Sequence, residues 1–169
     1  MSDPADGAVF RSGLALCSLL FLGVLALGCE DPPPPPEDDP GGEVLYFEPI
    51  GFGTRARLRD TTEVVIRDST TWAAYRDSLT ATGPFRPVDF SQAVVLLAAV
   101  PAPSGGHLVE FEAVELVGDT LVAQYVLSVP GADCITAMGL TTPFQAVLAR
   151  RTEAPARFVR RTEAYSCEL

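Results

Sequence analysis

Ala93-Val94-Val95-Leu96-Leu97-Ala98-Ala99-Val100 is the stretch on which the architecture turns. A strand built from these residues is apolar on both faces, so it belongs inside a sheet that is covered from two sides. Pro101-Ala102-Pro103-Ser104-Gly105-Gly106 then turns the chain back. In the following segment Val109, Phe111 and Ala113 share one face opposite Glu110 and Glu112, after which the apolar phase slips to Val114 and Leu116. One extra residue near Ala113 restores a continuous apolar face, which is what a β-bulge does. Gly118-Asp119 is a turn signal, and Leu121, Ala123, Tyr125, Leu127 and Val129 hold one phase with Gln124 and Ser128 opposite. Residues 107–129 therefore read as a long antiparallel hairpin.

Upstream, Val44–Phe47 is a short strand ended by Pro49, and Glu63–Arg67 is a second β-favouring run. Asp68, Ser69, Thr70 and Thr71 are all helix-capping types. Trp72, Tyr75 and Leu79 then recur at i, i+3 and i+7 with Arg76 and Asp77 outward, an amphipathic helix of about three turns stopping before Gly83-Pro84. This helix is the natural cover for the second face of the 93–100 strand. Downstream, an irregular stretch from Pro130 to Pro143 precedes two strands, Phe144–Arg150 and Arg157–Arg161. Arg150-Arg151-Thr152-Glu153-Ala154 is echoed by Arg160-Arg161-Thr162-Glu163-Ala164. Facing hairpin arms with Arg and Glu paired across them account for the echo. An anionic-ligand patch built from arginines is the alternative. The class is α+β: a small, mainly antiparallel β domain over residues 43–169, with one amphipathic helix packed on the sheet.

The N-terminal part reads as an address. Leu14–Gly28 is apolar apart from Ser18, about 22 Å as a helix and short of the roughly 30 Å hydrocarbon core of a bilayer. Residues 1–28 thus fit a signal peptide. Its end, Leu25-Ala26-Leu27-Gly28-Cys29, resembles a bacterial lipobox, which implies that Cys29 carries the lipid anchor. Residues 29–42 follow as an acidic tether with five consecutive prolines, Pro32 to Pro36, a stiff and solvated spacer. Once Cys17 leaves with the signal and Cys29 takes lipid, Cys134 and Cys167 remain. In an oxidising compartment that pair suggests one disulfide. The expected address is the bacterial envelope, and Glu30 after the anchor is compatible with sorting to the outer membrane.

Chemistry is harder to find. The 169 residues carry 22 acidic groups, 12 arginines and no lysine, a net charge of -10 that argues against nucleic acid as a partner. Ser104 beside His107, the single histidine, lacks the Gly-x-Ser-x-Gly elbow of a hydrolase nucleophile. Glu110, Glu112 and Glu115 are routine residues for the solvated face of a strand. No catalytic residue, cofactor site or metal site is expected.

Trp72, Val88-Asp89-Phe90, Ser104-Gly105-Gly106-His107 and Thr142-Pro143-Phe144 occur in an order that resembles the PrcB C-terminal domain family. The resemblance runs from about Trp72 to Arg151. Where the family generally has Tyr after the Gly-Gly pair, this chain has His107, and Pro101 and Pro103 replace a Gly-containing lead. The resemblance implies an exported, β-rich module that binds or stabilises a protein complex and has no chemistry of its own. The expected interaction surface comprises Ser104, Gly105, Gly106 and His107 with Thr142, Pro143 and Phe144. An exposed apolar patch is expected near Ser104–His107 or Cys134–Phe144. Binding of a small ligand or surface polymer is the competing function, and would show a concave polar pocket.

Overall fold

The structure, a computed structural model, describes residues 42–168. The expected signal peptide, the expected lipid-bearing Cys29 and the expected tether up to residue 41 lie outside the described residues.

In chain order the elements are β1 (Glu43–Val44), β2 (Phe47–Gly53), β3 (Arg55–Ala56), β4 (Thr62–Ile66), α1 (Ser69–Arg76), β5 (Leu79–Thr80) and β6 (Ala93–Ala99). There follow β7 (Ala102–Ser104), β8 (Leu108–Val117), β9 (Thr120–Pro130), β10 (Met138–Thr141), β11 (Phe144–Arg150) and β12 (Ala156–Tyr165). They form two four-stranded sheets, β1-β8-β9-β12 and β2-β11-β6-β4, with two short ribbons, β7-β10 and β3-β5. The fold is mostly antiparallel sheet with one short helix.

β6 occupies the middle of this arrangement, and Val94 through Ala99 have 0% exposure. Val94, Leu96 and Ala98 face the first sheet, where they meet Val109, Phe111, Val114, Leu121, Ala123 and Tyr125. Val95, Leu97 and Ala99 face a layer made by Trp72 of α1, Leu79 and the half-buried Phe85, Val88 and Phe90. Burial stabilises by about 1.5–3 kcal/mol for each Val or Leu side chain. A strand that buries such residues on both faces therefore holds three layers together.

The hairpin carries the expected bulge. Phe111 pairs with Tyr125 but Ala113 with Gln124, so Glu112 is the additional residue. The amide of Phe111 donates instead to Gln145 Oε1 at 2.6 Å, a side chain of the opposite sheet. The outward face of β9 departs from simple alternation, because Val122 and Val126 are also buried there. Register explains this: Val122 lies between Glu115 and Arg157, and Val126 between Glu110 and Arg161. Long charged side chains cover apolar neighbours with their aliphatic stems while their heads stay in water.

α1 is shorter than the spacing of Trp72, Tyr75 and Leu79 suggests. Asp68 is the N-cap and accepts the Thr71 amide at 2.8 Å. That bond, with a second from the Thr71 hydroxyl, holds its carboxyl below the ordinary range. The helix ends at Arg76, and the Ser78 amide closes the last turn on the Tyr75 carbonyl at 2.8 Å. Leu79 then pairs with Ala56 of β3 and stays buried from a strand.

The two echoed segments are not hairpin arms. β11 sits between β2 and β6 in one sheet, whereas β12 runs parallel to β9 in the other. β11 is apolar on both faces and belongs in a covered sheet; β12 is polar and takes an edge. The segment between them crosses from sheet to sheet, held by Arg67, which donates to the carbonyls of Thr152 (3.1 Å) and Ala154 (2.7 Å). Arg–Glu pairs form within each echo, Arg151 with Glu153 and Arg161 with Glu163, and not between the echoes. Arg161 also reaches Glu112 at 2.6 Å.

A second polar contact between the sheets joins two side chains. The hydroxyl of Tyr125, a residue with no exposure, donates to Glu63 Oε1 at 2.5 Å. Burial first, and then the Glu63 carboxylate, pushes the Tyr125 hydroxyl pKa far up, so it stays protonated at any physiological pH. Tyr125→Phe should cost about 1 kcal/mol, since Glu63 is exposed and regains water. A lower urea midpoint with an unchanged slope is the expected readout.

Candidate functional site

The β7–β10 ribbon lies at the end of the sandwich where β9 finishes and β8 starts. Ser104 closes β7 opposite Met138, and its carbonyl accepts the Thr141 hydroxyl at 2.7 Å. The Gly105 amide donates to Ala137 at 2.9 Å. Gly106 has φ +86°, a left-handed conformation that a β-carbon disfavours, and its carbonyl accepts the Tyr165 hydroxyl at 2.8 Å. The structure thus brings Ser104–His107 together with residues 137–141 and the end of β12.

The proposed surface residues divide by exposure. Ser104, Gly105 and Gly106 are accessible, whereas His107, Thr142, Pro143 and Phe144 are buried. The buried ones brace the ribbon from below. Pro143 accepts the Val100 amide at 3.0 Å, the Thr142 amide donates to Thr54 at 3.0 Å, and Phe144 is part of the core beside Phe85. The ribbon presents Met138 and Leu140 outward and the loop leading into it presents Ile135, each essentially fully exposed. The expected patch near Cys134–Phe144 spans these three residues, whereas the surface residues named from the sequence lie in the flanking motifs. The usable signal was the alternation of Met138 and Leu140 around Gly139, hidden in a stretch that reads as irregular.

The ribbon is fastened rather than loose. Cys134 and Cys167 form a disulfide, S–S 2.04 Å, across a sequence separation of 33. Asp133 next to it accepts the Ser166 hydroxyl (2.7 Å) and the amides of Cys167 (2.6 Å) and Glu168 (3.0 Å). The Ser166 hydroxyl, then the Cys167 amide, hold the Asp133 carboxyl below its ordinary range. A depressed carboxyl contributes stability above its unfolded pKa and loses it as pH falls through the folded one. The Cys167 and Glu168 amides should therefore be protected at neutral pH, keep that protection through the ordinary aspartate range, and lose it only at more acidic pH. Asp133→Asn should remove the same protection at neutral pH in hydrogen exchange.

The side chains of Ser104 and His107 do not form a hydrogen-bonded pair: the Ser104 hydroxyl donates to the Gly105 carbonyl (3.3 Å), and His107 Nδ1 meets the Ser104 carbonyl (3.2 Å). Among the described residues no group of three His, Cys, Asp or Glu is placed to hold a metal, and no helix is long and apolar enough to cross a membrane. A cleft of about 260 Å³ lies between the sheets and is lined by Phe52, Leu108, Val109, Glu110 and Gln145. No protein-family model, curated protein or solved structure matches the chain.

Proposed function

We propose that this protein is a non-catalytic envelope lipoprotein that binds a protein partner or stabilises a complex, in the manner of a PrcB-like domain. Cys29 fastens it to the membrane, and the β7–β10 ribbon makes the contact. The observation that supports the reading is three exposed apolar side chains, Ile135, Met138 and Leu140, on the ribbon and the disulfide-fixed loop that leads into it. Apolar groups left in water on a fixed scaffold gain free energy when a partner covers them, and pre-fixing them lowers the ordering cost. Ligand binding is favoured less, because a cleft of about 260 Å³ is below the usual range of small-molecule pockets.

The test is isolation from solubilised envelopes of the native host. A stoichiometric partner should accompany the wild-type protein. Replacing Ile135, Met138 and Leu140 together by Asp should weaken that association at least about 100-fold, since central apolar anchors dominate interface energy. The melting temperature should stay close to wild type, because none of the three side chains is in the core. Undiminished association of the triple variant would reject the ribbon as the contact. Cys29→Ala should move the protein from the membrane to the soluble fraction.

A further inference from the structure

We infer a second interaction surface, the open edge of β8 beside the interlayer cleft, whose occupant is an extended partner segment that joins the sheet as a strand. It is independent of the ribbon and of lipid attachment.

β8 is an edge for only part of its length. β1 pairs with its last residues, Glu43 with Leu116 and Val44 with Glu115, and the Leu45 amide donates to the Val114 carbonyl at 2.7 Å. The chain then leaves this sheet through the exposed Tyr46 and enters β2 in the other one. Among the described residues no strand lies beside Leu108–Phe111. The Phe111 amide points to that side, as its bond to Gln145 Oε1 shows. By strand alternation the amide and carbonyl of Val109 point there too. Gln145 therefore stands where a neighbouring strand would supply an acceptor.

The surroundings suit a peptide. Phe52 on one wall is 52% exposed and Leu108 on the other is 53% exposed, flanking the cleft that Gln145 floors. Alternate side chains of an added strand would enter the cleft beside Phe52, the others would lie outward with Leu108 and Glu110, and main-chain bonds would continue the row that β1 begins. Glu110 lines the same cleft and, among the described residues, takes part in no ion pair with an arginine, unlike Glu112, which Arg161 holds. The fitting segment is therefore extended, apolar at alternate positions, with a basic residue between them.

The probe is a blocked pentapeptide with valine at its second and fourth positions, arginine between them and threonine at both ends. It is titrated into the intact protein and followed by backbone amide shifts. Expected are perturbations confined to Leu108–Phe111, Phe52 and Gln145. N-methylation of the peptide's sheet-forming amides should weaken binding about tenfold or more, because the lost bonds leave Val109 and Phe111 carbonyls unpaired. Exchanging arginine for glutamate in the peptide should weaken it several-fold, and Glu110→Arg should reverse that preference. The Ile135, Met138 and Leu140 variant should bind the probe like wild type. Absence of binding at millimolar peptide, equal binding of the N-methylated peptide, or perturbations at β12 or the ribbon would each overturn the inference. Self-association that protects Leu108–Phe111 would overturn it in favour of a second copy of the chain, and protection of these amides by residues 29–41 would assign the edge to the tether.

Discussion

Trp72→Ala is expected to cost about 3–5 kcal/mol of unfolding free energy, the range for removing a buried aromatic side chain. Trp72 is 5% exposed and is the anchor through which α1 covers one face of β6. Its ring meets Phe85 edge-on, with centroids 5.3 Å apart at 85°, and Phe85 in turn lies 6.4 Å from Phe144. Phe85 rests on Gly51, where a β-carbon would collide with its ring. The indole is thus one end of an aromatic row laid across β2 and β11, and its loss opens a space that rigid sheet cannot close. Urea unfolding followed by far-ultraviolet circular dichroism gives the readout, because the variant has no tryptophan left to report by fluorescence. A loss under 1 kcal/mol would mean that β6 does not depend on this layer.

Removing the Cys134–Cys167 bond, by Cys134→Ser with Cys167→Ser, should cost about 3–4 kcal/mol for a loop of this length in the chain-entropy account. For a domain of this size that is a fall in melting temperature of roughly 10–15 °C. The native structure around β6 should survive, since neither cysteine is in the core. The loss should be local in hydrogen exchange as well. Amides of 131–141 and of the last residues of β12 should lose protection beyond the global change, while those of β6 and β11 should speed up only as far as the fall in global stability requires. Free thiols in protein taken from its native host would contradict the bond directly.

Much of the architecture was legible because it rests on periodicity. The two-faced apolarity of 93–100 demanded a covered strand, and the phase slip at Ala113 demanded one unpaired residue, found at Glu112. Capping chemistry at Asp68 was equally local and equally readable. What failed was non-local. Leu79 satisfies helical spacing and strand burial alike, and only the presence of β3 decides between them. The echo around Arg150 and Arg160 suggested two adjacent strands, but similarity of sequence carries no information about which sheet each strand joins. The candidate site was partly legible for the same reason. Ser104–Gly106 and the cysteine pair mark the region, but burial of Thr142–Phe144 depends on Thr54 and Phe85, far away in the chain.

The described chain begins at Gly42, against Leu116 and Val117, while the ribbon stands past Leu108 at the far end of the same strand. Some ten residues of β8 separate the two points, about 33 Å. Any tension between a tether at Gly42 and cargo on the ribbon would run lengthwise through β8 and β9. Ladder bonds lie across that axis, so they would resist sliding collectively instead of parting one after another as in a zipper. Under the proposed role, such a layout would let the domain keep its shape while being tugged.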